Sequence, residues 1–175
     1  MHHKLRFYGL FQHRVLKIYL ELAKLTRIPL IGNLVRWIAN IYGKSEHHGY
    51  YLTYKEAEKI LDNATSVALG PCACRQVYQN CDAPVMAELA ISTGADILPE
   101  IRPDDFKYIS VEEAREVLER CREHKLIPTL LKCKDDFYAI CNCCLCCCVP
   151  LRLSRNYGIK SAMIAHKGIV EKIWK

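Results

Sequence analysis

Apolar residues recur at three- and four-residue steps near the N-terminus, where Phe7, Phe11, Val15, Ile18, Leu22 and Leu25 trace one stripe, with Arg14, Lys17 and Lys24 elsewhere on the wheel. The spacing predicts a first helix packed through that stripe. Pro29 suits the first turn of a second helix carrying Leu30, Ile31, Leu34, Val35, Ile38 and Ile41, which meets a stop at Gly43. Lys44 to Tyr51 reads as a linker. Thr53-Tyr54-Lys55-Glu56 and Ser110-Val111-Glu112-Glu113 are capping boxes, each followed by apolar residues at helical spacing: Ala57, Ile60, Leu61 and Ala64 after the first, Ala114, Val117, Leu118 and Cys121 after the second. Between them, Ser66 to Leu69 is a short extended run, and Asp82 with Pro84 predicts a helix through Ala90 that Gly94 ends. Thr129 to Cys133 and Phe137 to Ile140 predict a hairpin closed by Lys134-Asp135-Asp136. A last strand or helix is expected between Ala162 and Lys175, where Ile164, Ile169, Val170, Ile173 and Trp174 are apolar.

The expected class is therefore α+β: a mostly helical small domain with a few short strands, over residues 51–175, preceded by an amphipathic helical hairpin over residues 1–50. About half of the 175 residues are hydrophobic, enough for a real core and against disorder. The formal charge of +6 is concentrated in the hairpin, where eight Lys or Arg face only Glu21 and Glu46, while the rest of the chain is neutral. A basic amphipathic hairpin can pack on its own domain, dock against a partner subunit or lie on an anionic membrane surface. The cations are dispersed among aliphatics with no recognised motif, so nucleic acid is not expected. Neither a secretory signal nor a run long enough to span a bilayer is visible, which places the chain in a reducing cytoplasm, with peripheral membrane attachment left open.

Cysteine changes this picture most. Between Cys141 and Cys148 the chain reads Cys-Asn-Cys-Cys-Leu-Cys-Cys-Cys, six thiols in eight positions, and Cys72, Cys74 and Cys81 lie upstream. A core uses single cysteines as small apolar residues but has no use for six in about two turns. In a reducing compartment clustered thiols point to metal or redox chemistry rather than disulfides. Cys141, Cys144 and Cys147 have the spacing by which ferredoxin-type loops hold three corners of a four-iron cluster. The next position of that pattern is Leu151, so the upstream cysteines must complete it. Cys143 and Cys146 form an interleaved pair and Cys148 adds one more, giving nine thiols for two four-cysteine clusters that need eight. Neighbours such as Cys143 and Cys144 can then serve different clusters. Two [4Fe-4S] clusters are the leading expectation and zinc is the alternative. Cys121 and Cys133 are read as core, no histidine is read as a ligand, and Arg75, Arg152 and Arg155 are placed to offset the negative charge of the cofactor, the first two beside it.

Gly-Pro-Cys-Ala-Cys-Arg, the later Cys-Asp-Ala-Pro, a helix beginning Ile-Ser-Val-Glu-Glu-Ala, and Ile-Cys-Asn-Cys-Cys-Leu-Cys-Cys-Cys together resemble a family of ferredoxin-like, four-iron binding proteins of anaerobic bacteria and archaea, over roughly residues 53–155. The resemblance implies cluster binding by Cys72, Cys74, Cys81 and the Cys141 to Cys148 run, and little about substrate. Relatives often continue into a two-cluster ferredoxin domain that this chain lacks, which favours a small subunit or an adaptor with a redox partner protein. Electron transfer is the leading functional expectation. An enzyme or activating factor with an open-coordination cluster and a zinc-stabilised interaction module are the alternatives.

Overall fold

A computed structural model of the chain describes residues 2–166 and 168–170. Seven strands form one mixed sheet in the order β4-β2-β3-β6-β5-β1-β7. They are β1 (His47–Tyr51), β2 (Val67–Pro71), β3 (Met86–Ile91), β4 (Lys107–Tyr108), β5 (Ile127–Cys133), β6 (Asp136–Cys143) and β7 (Met163–Ile164). Neighbours pair antiparallel except β1 and β7. The helices are α1 (His3–Lys24), α2 (Gly32–Ser45), α3 (Tyr54–Asp62), α4 (Ala73–Tyr78), α5 (Thr93–Ile101), α6 (Val111–Glu123) and α7 (Val149–Tyr157).

Alternation along the strands sends apolar residues to both faces of the sheet. Val67, Leu69, Leu89, Ile91, Leu130 and Ile140 meet the apolar faces of α3 and α6. Ala68, Ala90 and Ala139 face the other way, toward Leu5 of α1 and Ala95, Ile97 and Leu98 of α5. The α+β class is as expected, with a broader sheet than the short strands predicted. Both capping boxes form with reciprocal side-chain and backbone hydrogen bonds at Thr53/Glu56 and Ser110/Glu113.

Three local expectations are corrected. The helix predicted from Pro84 to Ala90 is strand β3, buried between β2 and β6 from Ala87 onward, and full burial on both faces removes the alternation that marks a strand. Gly94 does not stop a helix but opens α5, where a Cβ would lie 1.9 Å from the carbonyl oxygen of Tyr138, so only glycine lets the helix approach the sheet. The supposed linker contains β1, which pairs along its whole length with β5.

The fourth correction concerns the hairpin. Its two helices are present, but α1 buries Leu5, Gly9, Gln12, Leu16, Leu20 and Ala23, the face opposite to the predicted stripe. Phe7, Phe11, Ile18, Leu22 and Leu25 are exposed. The buried face includes Gln12, which accepts from Arg102 Nη1 at 2.8 Å, and Gly9, which lies close against Ile101 and Leu98 of α5. Among the described residues no helix is long and apolar enough to cross a membrane. At the C-terminal end Ile164 lies in β7 and Ile169 and Val170 are in the core, while Ile173 and Trp174 lie outside the described residues.

Loss of either cap removes a side-chain acceptor from a helix N-terminus without touching the core. Thr53→Ala and Ser110→Ala are each expected to lower stability by about 1 kcal/mol. The reading is a lower denaturant midpoint at unchanged slope, with metal content unaltered.

Candidate metal centre

Strands β2 and β6 both pair antiparallel with the β3 between them, so they run in the same direction and end at the same edge of the sheet. Gly70, Glu88 and Cys141 lie on one line across the three strands. Two residues beyond that line the chain reaches Cys72 on one side and Cys143 on the other. This arrangement brings together two cysteine segments far apart in sequence. Cys72 caps the short helix α4, which carries Cys74 and Arg75 and ends at a left-handed Gln79, φ 46°. Asn80 and Cys81 follow. On the other side β6 ends at Cys143, a turn carries Cys144 to Cys147, and Cys148 caps α7.

The thiols separate into two groups. Cys81, Cys144, Cys146 and Cys147 converge so that all four Sγ atoms lie within 4.8 Å of one another, the one such group among the described residues. Sγ–Sγ distances are 3.7 Å for Cys81–Cys144, 3.9 Å for Cys81–Cys147 and 3.8 Å for Cys146–Cys147. Asn80 braces the loop: its backbone amide donates to Cys147 Sγ at 3.3 Å and its side-chain Nδ2 to the Cys146 carbonyl at 3.0 Å. This group reaches the surface, with Cys81 and Cys146 half-buried and Leu145 exposed at the turn.

Cys72, Cys74, Cys141, Cys143 and Cys148 form the second, deeper group. Cys148 interacts electrostatically with Cys143 and Cys74, and Cys72 and Cys141 with the same two thiols. The Val149 amide donates to Cys74 Sγ at 3.4 Å. Leu151 and Met163 close this pocket on the protein side.

Spacing along the sequence therefore does not decide the grouping. Cys144 and Cys147 share a site with Cys146 and Cys81, whereas Cys141 belongs with Cys143. The strand explains this: Cys141 and Cys143 lie two apart on β6 and point to one face, and the turn starting at Cys144 aims the following thiols elsewhere. Cys121 is buried in the main core, and Cys133 lies at the far end of β5 with its Sγ 3.4 Å from His47 Nε2.

Arg75 is the electrostatic link. It is buried, its Nη1 donates to the Asn142 carbonyl at 2.9 Å, and its Nε and Nη2 have no oxygen or nitrogen partner. Its charge interacts with Cys72 and Cys143 of the deep group and with Cys144 of the outer one. Arg152 stacks over the Tyr78 ring at 4.7 Å with Nη1 buried and unpartnered, and Arg155 is exposed. Cys144 has its thiol lowered to about 7: burial opposes ionisation, but hydrogen bonds from the Cys147 amide, Cys146, Cys81 and Arg75 outweigh it. In the deep group burial pushes Cys72 and Cys141 up, while Cys143 is lowered chiefly by its hydrogen bond with Cys148. Glu88, opposite Cys141, is raised to about 7 by burial against the pull of Arg102 and Gln12.

The donor set fits a soft thiophilic metal. All contributed atoms are sulfur, and a buried guanidinium whose Nε and Nη2 meet no oxygen or nitrogen suits the fixed negative charge that metal-bound thiolates supply. The sequence did not single out Asn80, and its one signal is its position immediately before a ligand cysteine. Comparison with protein-family models, curated proteins and solved structures returns no match to this chain. The group of four cysteines thus rests on its geometry as a candidate metal site.

Two predictions separate ligand thiols from core thiols and test the arginine. Cys147→Ala is expected to remove the metal bound at the group of four cysteines, whereas Cys121→Ala and Cys133→Ala retain it by elemental analysis. Arg75→Leu leaves thiolate charge uncompensated and is expected to lower the stability of the metal-loaded protein by about 3 kcal/mol, with no loss in the metal-free protein, where the arginine is a buried charge without a counter-charge.

Proposed function

We propose that the chain is an iron–sulfur protein whose two centres carry electrons for a redox partner. The deep centre would be held by four of Cys72, Cys74, Cys141, Cys143 and Cys148, and the outer one by Cys81, Cys144, Cys146 and Cys147. The observation carrying this reading is the convergence of nine thiols, without a histidine or carboxylate ligand, into two adjoining groups around one buried arginine. Five thiols in the deep group exceed what one tetrahedral ion uses, which suits ligands that bind different irons of one cluster.

Bound clusters would supply reversible one-electron chemistry. The chain's own residues set the conditions for it. Arg75 places a positive charge between the groups, and the Asn80, Cys147 and Val149 amides point at sulfur, so all of them favour the more negative, reduced state. The outer group at the surface, beside exposed Leu145, is the point of exchange with a partner, and the deep group is shielded by α7 and β7. No acid, base or nucleophile is required.

The tight spacing of the outer group favours a second reading for that site alone. Four thiolates about a single ion at 2.3 Å stand about 3.8 Å apart, and the outer sulfurs match that edge. A structural zinc or a single iron would then fasten the loop between β6 and α7.

Protein prepared under strict exclusion of oxygen decides between these. The electron-transfer reading expects a brown, reducible protein with about eight iron and eight sulfide per chain. About four of each, with one further zinc or iron, would assign the outer site to a single ion. Colourless protein holding only zinc would sink the iron–sulfur reading altogether.

A further inference from the structure

The hairpin faces the solvent with the side that ought to be buried. Helix α2 has 14 residues, and the only ones fully buried are Gly32 and Gly43, which let it lie close against Thr26 and Ser161. Its apolar side chains, Leu34, Trp37, Ile38 and Ile41, are all half or more exposed, Trp37 at 63%. Helix α1 contributes Phe7 and Val15 to the same groove, a cavity of about 720 Å³ that also takes Trp37, Ile38 and Ile41. At the tip joining the helices Ile28, Leu30 and Ile31 project outward, Leu30 fully exposed and held at φ 71°, a backbone conformation costly for a leucine. A surface of this breadth in water marks an interaction site.

Charge selects the occupant. Both acidic residues of the hairpin are already paired, Glu21 with Lys24 and Glu46 with Lys4. Arg14, Lys17 and Lys44 have no ion-pair partner among the described residues. Arg14 lies one helical turn from both Leu10 and Ile18, directly flanking the exposed stripe. A second copy of the chain would bring these cations against their own kind. An anionic lipid surface offers the opposite charge and an apolar layer for the protruding tip, and Trp37 and Tyr42 suit the headgroup boundary.

We infer that the α1–α2 hairpin docks the protein onto an anionic phospholipid bilayer, with the Ile28–Ile31 tip and the outer faces of both helices inserted at the interface and Arg14, Lys17 and Lys44 on the headgroups. The inference is independent of which metal the thiols hold.

The test is co-sedimentation of the full, metal-loaded chain with vesicles of phosphatidylcholine alone or mixed with phosphatidylglycerol. Binding is expected to the mixed vesicles, to fall steeply with added salt, and to be weak on phosphatidylcholine. Leu30→Asp and Trp37→Asp should each weaken partitioning at least about tenfold, and Lys17→Ala about fivefold. These positions are exposed, so circular dichroism and metal content should not change. Failure to bind mixed vesicles, equal binding to neutral ones, or a dimer in light scattering that Trp37→Asp dissociates would overturn the inference, the last by assigning the face to a second copy.

Discussion

A guanidinium taken out of water must meet negative charge, and around Arg75 the supply is sulfur. One of its donors is satisfied by the Asn142 carbonyl, and the other two have no oxygen to bind. A neutral thiol is a poor partner for a buried cation, whereas a metal-bound thiolate is a permanent one. The arginine therefore makes structural sense when both flanking groups are ionised, and the parallel run of β2 and β6 is what brings those groups to its two sides. Charge compensation, sheet topology and ligand grouping are thus one constraint.

What was legible in the sequence follows the range of the interactions concerned. Capping boxes at Thr53 and Ser110 are satisfied within four residues and were readable as written. Strand β3 was not, because Pro84 and Asp82 imitate a helix start and Glu88 breaks the apolar run. Glu88 is buried there in the field of Arg102, just beyond α5, and beside Gln12 of α1, neighbours that no local pattern announces. In α1 two faces compete. The more hydrophobic one looks like core, yet the fold buries the other, since Gly9 allows close approach to α5 and Gln12 finds Arg102.

The cysteines show the same division. Their number and their capacity to hold a metal could be read directly. Their grouping could not, because a spacing rule treats the run as one loop. In the structure the run crosses from strand to turn to helix, and each change redirects the next thiol. Cys133 and Cys121 are equally buried but stand apart from the two groups, one beside His47 and the other in the α6 core.

The two ends of the molecule therefore differ in what holds them. Between α3, α6 and the sheet the core is aliphatic and complete, with Ile60, Leu61, Leu89, Leu118 and Leu130 fully buried. Around Cys141, Cys143 and Cys148 the buried apolar side chains are Leu151 and Met163, with half-buried Tyr51, Ile127 and Leu131 packed against them. Helices α4 and α7 are joined to α1 by an apolar cluster of Leu16, Leu20, Ala73, Val149, Leu153 and Tyr157, so a metal bound at the thiols would matter most for the cysteine turn between them. Removal of the metal would loosen this end first, because the arginine that sits between the thiol groups turns from a stabilising contact into an uncompensated buried charge. The remaining sheet and its α3–α6 layer do not depend on those bonds and can stay folded while the ligand loops open.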